Sequence, residues 1–296
     1  MLSIVDTKDK GIELLQATLE LFLSLPGLNT LELSPEYTVS LGLPPRIART
    51  RDADPGRLST LRIIGRREPY SAFNEILRRT PFLRNLDLDI CHTSSEPPRS
   101  LRELPTGLNL LRNTLTQLQL RFAMHIDDEF SEITQDVFDG GAGLGSLRHF
   151  AALTRLETSL FALVGHNDAV WSERCPSLAD HLPPRLRYLV FFDDLWREPS
   201  FSKIQDLPTM AVFKEFLAGE LPAEDWPLNP GSKDLKWIAT KEPAWKISTP
   251  DLTEFVINFE ETDSSSHPFW HSKEPQVDLQ NMCEAQGIKC FIWPEY

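Results

Sequence analysis

Few residues in this chain have types and spacing suited to chemistry. His166, Asn167 and Asp168 follow an apolar stretch that ends at Val164. A histidine next to an acid at a strand end could serve as base and orienting group in a hydrolytic reaction. The matching nucleophile has no signature. There is no GxSxG, and Ser146 of Gly143-Leu144-Gly145-Ser146 follows an acidic run instead of closing an elbow. A hydrolase-type enzyme on an α/β scaffold, using loop residues near His166, is therefore the alternative to a non-enzymatic reading. The glycines at 140, 141, 143 and 145 lead to Arg148 with no P-loop lysine, so they read as a flexible turn. His267 and His271 are four apart, but Pro268 between them opposes the helix that would align them on a metal. Cys283 and Cys290 read as small buried apolar side chains. No metal and no cofactor is expected.

Composition limits the partners. The 296 residues are 41% hydrophobic and carry a formal net charge of −13, which disfavours nucleic acid and anionic membranes. No run of 18 or more apolar residues is present, so no membrane span is expected. The first ten residues, MLSIVDTKDK, lack the basic and apolar regions of a secretory signal. Four scattered cysteines without framework spacing then read as reduced thiols in the cytoplasm or nucleus. Charge is unevenly spread. Arg46 to Arg84 holds ten arginines against four acids, whereas Phe122 to Ala142 holds six acids and no lysine or arginine. These read as a solvated basic face and a flexible acidic loop, with a bipolar binding surface as the sharper alternative.

A repeated pattern must position whatever these residues do. An apolar residue, two variable positions, an apolar residue, one variable position and a third apolar residue recur along the chain. They recur at Leu28/Leu31/Leu33, Leu58/Leu61/Ile63, Leu83/Leu86/Leu88 and Leu115/Leu118/Leu120. A copy with a polar third position follows at Leu153/Leu156/Thr158, then Leu186/Leu189/Phe191 and Leu252/Phe255/Ile257. The starts are 30, 25, 32, 38, 33 and 66 residues apart. The last interval is two periods of 33, so a degenerate repeat is expected within residues 200–250, with Leu235 and Ile238 in its strand. In a strand alternate side chains share a face, so the last two apolar positions point inward together. One such unit leaves an apolar edge uncovered, and stacking the next unit covers it.

Helical spacing precedes several of these strands: residues 12–25, 71–79, 101–111 with Pro105 kinking or shortening it, 203–218 closed by Gly219, and 277–286 closed by Gly287. A terminal strand is expected over 288–293. Helix, turn and short strand in repetition predict an α/β fold. The specific form is an irregular leucine-rich-repeat solenoid with short parallel strands and alternating helices, as a single domain over 1–296 with an acidic, glycine-ended insertion near 122–145. A doubly wound sheet would instead bring longer β-branched strands and a GxGxxG loop, and neither is present.

Leu83, Leu86, Leu88 and Cys91 fit the LxxLxLxxC form of leucine-rich-repeat proteins. The strings Gly145-Ser-Leu-Arg-His-Phe150 with Leu153 and Leu156, and Leu182-Pro-Pro-Arg-Leu186 with Tyr188-Leu189, resemble the repeat region of filamentous-fungal F-box and leucine-rich-repeat proteins. The resemblance spans roughly residues 11 to 292. It implies the substrate-recognition part of an F-box-like ubiquitin ligase receptor. A recognisable F-box is not expected here: the repeats begin by residue 28, and residues 49–57 after Leu43-Pro44-Pro45 are polar and turn-rich. The ligase adaptor is thus an expected partner only if an F-box is encoded upstream.

The expected function is a non-catalytic protein–protein interaction module whose partner is another protein. The expected contact residues are Arg62, Arg66 and Arg67 in the basic segment, with Asp193, Asp194 and Trp196 after the Leu186 strand. Arginine and tryptophan dominate interface hot spots, and all seven tryptophans lie at residue 171 or beyond.

Overall fold

Leucines spaced two apart give each segment one apolar face, and the neighbouring segment supplies the next row of the same face. In the computed structural model this holds in both compact units of the chain, Met1–Val137 and Phe138–Tyr296. The structure describes residues 2–5, 28–34, 58–65, 70–93, 104–125, 143–165, 171, 175–193, 206–223, 228, 236–239, 241–259 and 268–293.

The first unit contains β1 (Leu2–Val5), β2 (Thr30–Ser34), β3 (Thr60–Gly65), β4 (Asn85–Thr93) and β5 (Gln117–His125), with helices α1 (Tyr70–Arg79) and α2 (Leu104–Asn109). The strands are parallel and stand side by side in chain order. Leu31, Leu61, Leu86 and Leu118 align across the sheet, and so do Leu33, Ile63, Leu88 and Leu120. The first of these rows is at most 1% exposed. Leu58, Leu83 and Leu115, the leading positions of the pattern, are buried as well. Ile76 and Leu77 of α1, Leu104 and Leu108 of α2, and Leu111 and Phe122 beyond it are buried with them. Pro105 occupies the second position of α2, where its missing N–H costs no helical bond, so it sets the start of the helix and does not kink it.

The second unit contains β6 (Arg155–Ser159), α3 (Leu160–Val164), a 3-10 turn (Leu178–Asp180), β7 (Tyr188–Phe192) and α4 (Asp206–Ala218). It continues with β8 (Glu220–Pro222), β9 (Trp237–Ala239), α5 (Trp245–Ser248), β10 (Glu254–Asn258), α6 (Pro268–His271), α7 (Lys273–Ala285) and β11 (Lys289–Trp293). Strands β6, β7, β10 and β11 are parallel neighbours in that order. Leu156, Leu189, Phe255 and Cys290 form one inward row, and Thr158, Phe191, Ile257 and Ile292 the next. Aromatic side chains replace much of the leucine here: Phe213 of α4 packs 5.5 Å from Phe191, 5.2 Å from Phe255 and 6.1 Å from Trp270, ring centre to ring centre.

One local device recurs at the strand starts. Two successive backbone N–H groups converge on one carbonyl of the preceding segment: Ser59 and Thr60 on Asn29, Arg84 and Asn85 on Ser59, Thr116 and Gln117 on Arg84. In the second unit Arg187 and Tyr188 converge on Thr154, and Thr253 and Glu254 on Arg187. Hydroxyls of Ser59, Thr116 and Thr253 donate to the same carbonyls at 3.0–3.2 Å. Segments of unequal length therefore still meet at equivalent atoms.

The structure departs from the sequence expectations at three places. The interval between Leu186 and Leu252 adds no strand to the parallel sheet: β10 lies directly against β7, from Tyr188 opposite Glu254 to Phe192 opposite Asn258. The expected degenerate strand does exist around Ile238, but β9 pairs antiparallel with β8 in a separate ribbon. The glycine run is also more than a flexible turn. Gly143 has φ +69°, and the next residue's N–H donates to the Ala162 carbonyl at 2.7 Å. Phe122 to His125 are strand, so any acidic interruption starts later than 122, and residues 126–142 lie outside the described residues. The expected helix over 12–25 lies outside them too.

The polar third position of the fifth repeat has a measurable consequence. Thr158 is fully buried, its hydroxyl has no hydrogen-bond partner, and it aligns with Phe191 in an apolar row. A buried hydroxyl left unsatisfied costs about 1–3 kcal/mol. Thr158→Val is expected to stabilise the second unit by about 1 kcal/mol, read as a higher urea midpoint. A lower midpoint would show that the hydroxyl is satisfied.

Candidate protein-binding surface

The side chains between the leucines face the other way. In the first unit they form rows on the sheet face opposite the leucines: Thr30, Thr60, Asn85 and Gln117, then Glu32, Arg62, Asp87 and Gln119, then Ile64, Asp89 and Arg121. Arg62 sits between two acids, its Nε 2.8 Å from Asp87 Oδ2 and its Nη1 3.7 Å from Glu32 Oε2. The Arg62 side chain remains 48% exposed. Ion pairs this open contribute about 0–1 kcal/mol, so their main effect is to hold the guanidinium at a set position across the strands. Asn85 Nδ2 donates to Thr60 Oγ1 at 3.0 Å, which orders the adjoining row. The arrangement can accept and donate hydrogen bonds along an extended chain, and it offers an arginine for a carboxylate or an aromatic face.

The equivalent face of the second unit has a different character. Arg155, Tyr188, Glu254 and Lys289 form its first row, with the Arg155 guanidinium 4.1 Å over the Tyr188 ring and paired with Glu157. Burial raises the Tyr188 phenol above its ordinary value, Glu157 and Glu254 add to the rise, and Arg155 opposes it. Beyond this row Val190, Phe192 and Val256 form a buried apolar cluster with Tyr188 packed against it. Among the described residues the face opens again on β11, where Phe291 is 36% and Trp293 51% exposed.

Of the expected contact residues, the structure places Arg62 on this exposed face. Asp193 is fully buried just after β7 and engaged within the protein, so it does not reach a partner; the strand-end position explains it better. Arg66, Arg67, Asp194 and Trp196 lie outside the described residues, as do His166, Asn167 and Asp168. Among the described tryptophans, Trp171, Trp245 and Trp270 are buried, Trp237 is half-buried and Trp293 is exposed.

A buried polar cluster had no counterpart in the sequence reading. Consecutive residues of α4, Lys214 and Glu215, are both buried. Lys214 Nζ lies 2.6 Å from Asp278 of α7, 3.6 Å from Glu220 of β8 and 4.8 Å from the Trp237 ring centre of β9. Glu215 pairs with Lys241 and accepts long hydrogen bonds from the Ser177 hydroxyl. Burial, and next the Glu215 charge, push the nearby Cys175 thiol up to about 12, so it stays protonated at neutral pH and is a poor nucleophile. The cluster pins α4 to its neighbours. Its only sequence signal is a Lys-Glu pair inside the apolar run MAVFKEFLA. The Cys283 thiol, hydrogen-bonded to Cys290 and buried, is likewise held far above its ordinary range. Cys175, Cys283 and Cys290 are free thiols.

His181 links the glycine turn to the 3-10 turn. Its ring nitrogen Nδ1 is 3.3 Å from the Gly145 carbonyl, while its own carbonyl accepts from Leu147 N–H and the Ser146 hydroxyl donates to Asp180 O at 2.7 Å. Burial lowers its pKa below 6.5, although the Gly145 hydrogen bond and Asp180 pull the other way. The unfolded chain therefore takes up this proton at higher pH than the folded one. The stability His181 contributes is complete above 6.5 and is lost as pH falls from there through the lower folded value. Unfolding midpoints measured from about pH 8 to about pH 5 should fall less steeply in His181→Asn than in wild type; parallel curves would contradict this.

Among the described residues no group of three or more His, Cys, Asp or Glu could hold a metal, and no helix is long and apolar enough to cross a membrane. No protein-family model matches the chain, and no curated protein is significantly similar to it.

Proposed function

We propose that this chain is a non-catalytic protein-interaction module of the leucine-rich-repeat type, and that the polar sheet face around Arg62 is its binding surface. The observation that carries the reading is the half-exposed Arg62 held between Glu32 and Asp87 across three neighbouring strands. The solenoid reading is supported by the register of the LxxLxL positions and by the shared carbonyl device at the strand starts. Strand order supports it too: in each unit successive strands of the parallel sheet add on one side, whereas a doubly wound sheet reverses at a switch point. The role of substrate-recognition part in an F-box-like ubiquitin ligase receptor rests on the resemblance of the 145–156 and 182–189 strings. A cytoplasmic or nuclear setting is consistent with the free thiols.

The test is capture of partners by the tagged full chain, followed by affinity measurement on the recovered protein. Arg62→Glu is expected to weaken binding by about 10–100-fold without lowering the unfolding midpoint appreciably. A partner that binds Arg62→Glu as tightly as wild type would contradict the assignment of this face. Co-recovery of a ubiquitin-ligase adaptor would support the receptor role.

A further inference from the structure

Strand β11 ends the order of the second unit's parallel sheet, and among the described residues no strand lies beyond it. Its hydrogen bonds define which main-chain groups remain. Lys289 N–H donates to Thr253 O and Trp293 O accepts from Phe259 N–H, so residues 289, 291 and 293 turn their main-chain groups toward β10. Cys290 and Ile292 therefore direct theirs to the open edge. Side chains follow the complementary alternation: Ile292 is buried and Cys290 half-buried, while Lys289, Phe291 and Trp293 are exposed on the other face. An open edge lined by exposed aromatics is a template for another strand, and proteins ordinarily blunt such edges.

We propose that the occupant is a second copy of this chain, with β11 pairing antiparallel to its counterpart about a two-fold axis at Phe291. The sequence of the strand is self-complementary in this register. Cys290 and Ile292 of one copy meet Ile292 and Cys290 of the other, and all four direct their main-chain groups at the interface, as an antiparallel hydrogen-bonded pair requires. Phe291 meets its own copy on the axis. Each Lys289 meets a Trp293, which places an ammonium beside an indole face. Lys289 is free to do so, since its side chain is 71% exposed and its contact with Glu254 is long at 3.9 Å. No acid lies within β11, so the pairing brings no carboxylates together in a chain of net charge −13. A two-fold contact of this kind closes on itself, so the β11 edge of each copy is used up by the other.

The axis at Phe291 makes a specific test possible with the full chain in sedimentation equilibrium. Wild type is expected to dimerise with a Kd on the order of 10 μM, as suits a small interface. Phe291→Lys alone and Phe291→Glu alone should each be monomeric, because a two-fold axis sets like charges directly opposite each other. An equimolar mixture of the two should dimerise again, within about tenfold of wild type. Phe291 is partly exposed, so unchanged unfolding midpoints will confirm that both variants fold; Trp293→Ala, expected to weaken the dimer about tenfold, provides a second variant. A wild-type chain that stays monomeric, whether its edge stays open or a different protein takes it, overturns the proposal. So does a Phe291→Lys protein that dimerises like wild type, or a mixture that fails to pair.

Discussion

Gly143→Ala is expected to destabilise the second unit by about 3–4 kcal/mol, one of the two largest losses foreseen from a single substitution. Two costs add. Gly143 has φ +69°, where an L side chain costs roughly 1–2 kcal/mol. A Cβ there would also lie 2.5 Å from Gly165 N, 2.9 Å from Leu163 O and 3.0 Å from Ala162 O. These are backbone atoms at the end of α3, and they cannot swing aside as a flexible side chain would. Gly145 provides the control, because it has φ +74° but open space around a Cβ. Gly145→Ala should lose only the conformational part, about 1 kcal/mol. Urea unfolding followed by tryptophan fluorescence reports on this unit, since every tryptophan lies at residue 171 or beyond. Equal losses at the two glycines would show that the close approach to α3 is not maintained.

Phe213→Ala should cost about 3–5 kcal/mol. The ring is fully buried and in contact with Phe191 of β7, Phe255 of β10 and Trp270 of α6. Removing it leaves a cavity among rings that are large and rigid, so little collapse can fill the space. Phe213→Leu keeps most of the volume and should cost about 1 kcal/mol. Differential scanning calorimetry on both variants separates the two outcomes. A loss below about 1.5 kcal/mol for Phe213→Ala would mean that the aromatic cluster repacks freely.

The contrast between these sites shows how much the sequence displayed. Rows such as Leu31-Leu61-Leu86-Leu118 were legible because a leading leucine and two alternating apolar residues recur, and one face follows from strand geometry. β1 was not legible: Leu2 and Ile4 supply the alternation and precede Leu31 and Leu33 by one ordinary repeat interval, but four residues with no leading leucine are too short a signal. Ile238 was placed in a strand but with the wrong partner, since a three-residue strand carries no mark of parallel or antiparallel pairing. The run YLVFF is apolar at both parities, a sign of a strand buried on two faces, and EFVIN adds Val256 between the polar Glu254 and Asn258; this matches the cluster of Val190, Phe192 and Val256.

The candidate surface was legible in one residue. Arg62 stands between two leucine-pattern positions, so alternation alone places it outward; its acids Glu32 and Asp87 come from strands 30 residues before and 25 after, and only the register brings them together. Asp193 misled because a polar residue after a strand reads as surface, whereas this one is enclosed. Lys214 and Glu215 were missed because buried charges depend on partners distant in sequence: Asp278 and Lys241.

The most direct test of the binding face is site-specific photocrosslinking within the first unit. A photoreactive residue replacing Gln119, in the same row as Arg62, or Gln117 in the adjoining row should form a discrete adduct with a captured partner; the same residue replacing Arg112, exposed in the turn after α2 and off the sheet face, should form none. Adducts at Arg112 with none at Gln117 or Gln119 would contradict the account.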